Sequence, residues 1–196
     1  MFHVGTPVKK IKMLVRGFSL MELLIVIAII GILGATIMPN LRKQSPRYER
    51  ESFIAQFNTL VQYGWQQSLS THKIHRVTVD VGKKIITLTV DSGQKDRSGE
   101  NAFVPLTNPV QDTNIAIPDQ ILIKQFFIEG FDMMAKFARS KTASVWFYII
   151  PEGMAQNVIV NFTDTKDTQN DHPRQIGLVL NPFSAIFKVY DTFQKP

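Results

Sequence analysis

Cysteine is absent from the 196 residues. That removes disulfides, thiolate metal centres and cysteine nucleophiles together, without fixing a compartment. Catalytic signatures are missing as well. The four histidines, His3, His72, His75 and His172, stand in no HExxH pattern, and no GxxxxGK[ST] or GxGxxG phosphate loop occurs. No enzyme is expected. Acid is missing before Glu22, whereas Lys9, Lys10, Lys12 and Arg16 precede it. Those four cations carry most of the formal charge of +6 and the pI near 9.6, and the remainder of the chain is close to neutral. Its Lys and Arg are scattered among acids rather than striped with aromatics, so nucleic acid is not an expected partner.

What the chain does have is one long apolar run. From Phe18 to Met38 it reads FSLMELLIVIAIIGILGATIM, with Ser19, Glu22 and Thr36 as the plainly polar side chains. As a helix this run would extend roughly 31 Å at ~1.5 Å per residue, matching a hydrocarbon core of ~30 Å. The basic, acid-free stretch upstream predicts a cytoplasmic N-terminus and export of everything after Met38. A secretory signal peptide shares the basic front, but Gly34 and Ala35 offer only a poor cleavage site and the run is long for one. A plain single-pass anchor explains the length. It leaves Glu22 unexplained, because a carboxylate inside an apolar span costs ~2.5–3.5 kcal/mol at mid-membrane and less near an end.

The string Arg16-Gly17-Phe18-Ser19-Leu20-Met21-Glu22, followed by the apolar run, resembles the class III signal of type IV prepilins and type II secretion pseudopilins. The resemblance implies cleavage between Gly17 and Phe18 by a prepilin peptidase, N-methylation of Phe18, and assembly with other pilins through helix stacking. Phe18 and Glu22 are then the assembly residues. The new amine lies about one helical turn from the Glu22 carboxylate, and methylation keeps its charge. In the family that carboxylate is thought to meet the amine of a neighbouring subunit, so that only a correctly staggered partner satisfies it. Gly31, Gly34 and Ala35 add small residues that let helices approach closely. Pro39 is expected to kink or locally melt the helix where it leaves the bilayer.

Beyond the run, residues 40–72 form a predicted amphipathic helix with Phe53, Phe57, Leu60, Val61, Gly64 and Leu69 near one face. Ser45-Pro46 followed by Glu49 and Glu51 predicts a second break near residue 45. Tyr63 and Trp65 are assigned to core packing. From Ile74 the pattern alternates. A hairpin turning at Gly82-Lys83 is followed by strands at 120–128, 144–150, 156–163, 174–180 and 184–190, the last two joined at Asn181-Pro182-Phe183. Residues 91–120 read as a long variable loop. Ile149-Ile150-Pro151-Glu152-Gly153 is similar to the C-terminal part of the GspH/FimT group of minor pilin-like proteins.

The expected organisation is a cleaved leader at 1–17, a transmembrane half-helix at 18–39, an amphipathic half-helix at 40–72 and a β-rich periplasmic head at 73–196. The fold class is α+β and pilin-like, a long N-terminal helix packed on an antiparallel β-rich domain, held in a bacterial inner membrane. No cofactor is expected. The oxygen-rich stretch with Asp164, Asp167 and Asp171 is the one place that suggests calcium, but its spacing is not that of a calcium-hand loop and a solvated turn is the ordinary reading. The reading of function is a minor pseudopilin of a type II secretion system, with a minor type IV pilin of a pilus or DNA-uptake system as its alternative.

Overall fold

The computed structural model describes residues 19–42, 46–106, 112–137 and 144–196, with the side chains of the first segment described as far as Leu33. The chain divides into two compact units, Met1–Gln44 and Ser45–Pro196.

The first unit contains helix α1, Leu20–Arg42. Every described side chain from Ser19 to Leu33 is exposed, and the large ones include Leu20, Ile27, Ile30 and Ile32. A helix apolar nearly all round has no hydrophilic face to offer water. Among the described residues, no helix is long and apolar enough to cross a membrane, and the expected span to Met38 extends beyond the described side chains.

The second unit opens on α2, Pro46–Thr71. Pro46 occupies the first helical position, where its missing donor costs nothing, and Glu49 sits in the positively polarised first turn. The helix buries Arg50, Phe53, Ile54, Phe57, Leu60, Val61, Gly64 and Ser68, a stripe at three- and four-residue steps. Leu69 departs from expectation and stays partly exposed. Ser68 takes the inward position instead, its hydroxyl donating to the carbonyl of Trp65 at 2.8 Å.

Two antiparallel sheets complete the unit. The first has the order β3-β2-β1-β7-β8, with β4 also on β2. Its strands are β1 (His75–Asp80), β2 (Ile85–Lys95), β3 (Asn101–Pro105), β4 (Asn114–Ala116), β7 (Ser144–Ile150) and β8 (Met154–Ala155). The second runs β11-β10-β9-β5-β6, from β5 (Ile121–Ile128), β6 (Phe131–Asp132), β9 (Val158–Gln169), β10 (His172–Asn181) and β11 (Ile186–Tyr190). A 3-10 turn, Met134–Phe137, follows β6.

The stretch expected to be a loop is thus partly sheet. β3 pairs with β2 through Val90↔Val104, and β4 pairs through Ile86↔Ile115. Both are short, and Pro105 and Pro118 punctuate them, but burial of Ile115 and Ile117 drives the chain back onto the sheet. The hairpin turn is also wider than the Gly82-Lys83 pair. Asp80 faces Ile85 across it, with Lys84 in the left-handed region at φ 53° and the Lys83 amide donating to Asp80 Oδ1 at 2.8 Å.

Both sheets and α2 enclose one core. Phe57 packs on Phe187 with ring centroids 4.6 Å apart, Phe53 meets Phe162 edge-on at 6.2 Å, and Phe126 meets Phe147 at 6.5 Å. Such pairs add ~0.5–1.5 kcal/mol beyond their buried area. At Gly64 α2 lies close against the first sheet: a β-carbon there would lie 2.8 Å from Leu88 Cδ1 and 3.1 Å from Ile149 Cδ1. Trp65 lies at the edge of this core, its indole Nε1 donating to the carbonyl of Gly153 at 2.7 Å.

Candidate functional site

Two groups of polar residues stand out against this frame, one in each unit. The first begins α1. The Glu22 amide donates to Ser19 Oγ at 3.2 Å, and the Leu23 amide donates to the Ser19 carbonyl at 3.2 Å. Ser19 is therefore the N-cap and Glu22 stands three residues in, the S-x-x-E spacing of a capping box. The helix begins where its first orphan donors meet a hydroxyl, and an acid stands at its positive end. Glu22 itself is exposed. Gly17 and Phe18, the expected cleavage pair, lie outside the described residues. Pro39 falls inside α1, which continues to Arg42, and its side chain is outside the described ones.

The second group fastens the start of α2 to the second sheet. Arg50 is 5% exposed and Asp164 is 0% exposed, and Arg50 Nη1 lies 3.0 Å from Asp164 Oδ2 and 2.5 Å from Asp167 Oδ2. Arg174 extends the series, 3.7 Å from Asp167 and 2.8 Å from Asp191. Its guanidinium, through that hydrogen bond, holds the Asp191 carboxyl below the usual carboxylate range. Beside the cluster, Gln120 Nε2 donates to the Pro46 carbonyl at 2.8 Å.

The acids suggested for calcium are therefore committed elsewhere or apart. Asp164 and Asp167 face Arg50. The strands run further than expected, and β9 reaches β10 across Asn170 and Asp171, both left-handed at φ 51° and 63°. That is the backbone of a two-residue type I′ hairpin turn. The register passes from Thr168↔Pro173 to Asp164↔Arg174, so residues 165–167 bulge, and the bulge aims Asp167 at Arg50. The Lys166 and Asp167 amides donate to Asp164 Oδ1 at 3.1 and 3.3 Å. Among the described residues no group of three or more His, Cys, Asp or Glu is arranged to hold a metal ion. Arg50 is the residue that sequence reasoning passes over. Its signal is a cation three and four positions ahead of Phe53 and Ile54 on the apolar stripe.

Residues 12–38 match the family described as the prokaryotic N-terminal methylation motif. The chain carries a prepilin-type N-terminus. No curated protein matches the chain by sequence. Among solved structures it is similar to the minor pseudopilin EpsH of the type 2 secretion system of Vibrio cholerae, at TM-score 0.48 and 8% identity, covering 73% of this chain and 97% of that one. A second EpsH structure gives TM-score 0.48, 11% identity and coverage of 72% and 97%. The type IV minor pilin FimU of Pseudomonas aeruginosa is similar at TM-score 0.42 and 13% identity, covering 76% and 94%. Scores and identities this low bear on neither activity nor partners.

Proposed function

We propose that this pilin-like chain is a minor pseudopilin, a structural subunit of a type II secretion pseudopilus. A prepilin peptidase cuts between Gly17 and Phe18 and methylates the Phe18 amine. The segment from Phe18 to Pro39 lies in the inner membrane, its N-terminus cytoplasmic and the β-rich head periplasmic, and stacks against the helices of other pilins. Phe18 and Glu22 set the stagger: the carboxylate of one subunit meets the amine of the next, each relieving a charge that lipid would penalise.

The observation that carries this reading is the methylation motif over residues 12–38, placed on a helix whose described side chains are all exposed and, apart from Ser19, Glu22 and Gly31, apolar. The near balance of charge after the leader, with 18 Lys and Arg against 16 Asp and Glu, supports a secretion role over one that grips a polyanion. The test is the mass of the chain purified from cells that possess the peptidase. It should lack residues 1–17 and carry one added methyl at Phe18, and should keep its full length when the peptidase is deleted. An intact N-terminus in peptidase-positive cells would sink the proposal.

A further inference from the structure

The outer face of the first sheet carries an arginine whose guanidinium has no acceptor among the described residues. Along β1 and β7, Val77, Phe147 and Ile149 point into the core, so Arg76, Trp146 and Tyr148 point outward. Phe103 of β3 reaches over them, its ring 5.8 Å from Tyr148. The Arg76 guanidinium lies over two rings, 4.1 Å from the centroid of Phe103 and 5.9 Å from that of Trp146. Stacking of this kind holds the cation by its face and leaves the N–H groups at its edge. Among the described residues those groups meet no hydrogen-bond acceptor or carboxylate, and Nε is buried from water without a partner.

A buried donor left unmade is destabilising unless something outside the chain supplies the acceptor. Nε is closed to solvent, so an outside acceptor would reach the Nη edge of the guanidinium, and space for it exists there. Arg76, Phe103, Trp146 and Tyr148 line a groove of about 590 Å³ that also takes in Lys95 and Glu100. A second hollow of about 330 Å³ adjoins it across Trp146 and Tyr148 and is walled by Phe131 and Met133. Trp146 is 44% exposed, yet its Nε1 donates to the Tyr148 hydroxyl at 3.1 Å, so the two rings are set before anything binds.

We propose that this groove receives a single carboxylate presented by an acidic peptide segment of a partner protein. The fork of Arg76 takes the carboxylate oxygens, and the apolar residue beside the acid lies on Trp146 and Tyr148. The guanidinium edge matches a planar carboxylate. Charge argues for one anion rather than many: Arg76 is the cation with free donors, while Lys95 gives a hydrogen bond to Asn101 Oδ1 at 2.6 Å and Glu100 on the same rim repels a polyanion. Aromatic rings flanking an arginine are the composition of a protein-binding hot spot. This site is independent of filament assembly through α1.

The test uses the full chain in detergent micelles with nitrogen-15 in its two indoles, Trp65 and Trp146. Trp65 is tied to Gly153 and serves as the internal reference. The blocked peptide acetyl-Ala-Glu-Leu-Ala-amide should move the Trp146 indole signal saturably and leave that of Trp65 in place. The peptide with Gln for Glu should bind at least about tenfold more weakly. Arg76→Gln should erase that difference, and Arg76→Lys should restore part of it. If Arg76→Gln fails to fold, as a displaced Trp65 signal would reveal, the comparison of the two peptides on the unaltered chain decides alone. Three results overturn the proposal: no saturable shift up to ~10 mM, ten times the Kd of a weak contact; equal binding of the Glu and Gln peptides; or a short oligothymidylate moving the Trp146 signal at lower concentration than the peptide.

Discussion

Arg50 on α2 and Asp164 on β9 form an ion pair of 3.0 Å with both side chains withdrawn from water. The pair stands where α2 begins, beside the Gln120 bond to Pro46, so it fastens the start of that helix to the second sheet. A buried pair adds little over well-packed apolar residues, but a buried charge stripped of its partner is severe. Arg50→Met in the full chain should therefore lower unfolding stability by ~3–5 kcal/mol. The double variant Arg50→Met, Asp164→Leu should be more stable than that single variant. Urea unfolding in micelles reads both, and equal stability of the single variant and the parent would show that solvent already screens the pair.

Ser19 and Glu22 make two separable claims. As a capping box, glutamine serves at the third position as well as glutamate does, whereas pairing with a cationic amine in lipid requires the charge. Glu22→Gln should thus keep α1 helical and keep cleavage after Gly17, yet lose assembly, measured as crosslinked or sheared filaments. Ser19→Ala should instead fray the helix start by ~1 kcal/mol and leave assembly largely in place. Filaments built normally from Glu22→Gln subunits would assign that residue to capping alone.

How much of this was legible in the sequence depends on whether each signal was local. The Val77, Val79 and Ile86, Leu88 alternation marks the first hairpin because inward and outward residues alternate along a pleat, and the Ser45-Pro46 signal marks the start of α2. β4 was hidden because it is held by a pairing distant in sequence, Ile86↔Ile115, whereas β3 returns on β2 as a local hairpin, Lys95↔Asn101, whose register shift and terminal Pro105 blur the alternation. The acids at 164 and 167 invited a cation, but the cation that answers them is a guanidinium 114 and 117 positions away. A cation on an apolar stripe and acids without a partner are each half of one signal. Similarly, Arg76, Trp146 and Tyr148 sit at outward positions that alternation exposes, while the arrival of Phe103 over them belongs to the folded sheet.

Asn161 clasps the C-terminal tail to the outer face of the second sheet. Its Nδ2 donates to the Gln194 carbonyl at 2.8 Å and to Gln125 Oε1 at 2.9 Å, and its Oδ1 accepts the Gln194 amide at 2.9 Å. Gly177 opposite makes room, since a β-carbon there would sit 2.6 Å from the Thr192 carbonyl oxygen. Backbone cannot yield as a side-chain tip does. Asn161→Ala and Gly177→Ala should each cost ~1–3 kcal/mol and should release the same tail, speeding hydrogen exchange at the Gln194 amide. An unchanged exchange rate there in either variant would mean that the tail is held by other contacts.

His75 predicts a pH dependence of the head. It is 0% exposed, and its Nδ1 is 3.0 Å from the Lys73 carbonyl, so Nδ1 carries the proton and donates. Nε2 is buried without a partner among the described residues. Burial pushes the imidazole's pKa down, with the Lys73 bond opposing part of the effect. A base whose pKa is lower folded than unfolded binds more protons unfolded at intermediate pH, so stability rises with pH there. The contribution is complete above the unfolded value of ~6.5 and declines as the pH falls through it toward the folded value. His75→Gln should flatten the stability profile between about pH 5 and 7 relative to the parent, with His72 and His172 present in both. If the two profiles keep the same slope across that window, His75 binds protons equally in both states and another group carries the pH dependence.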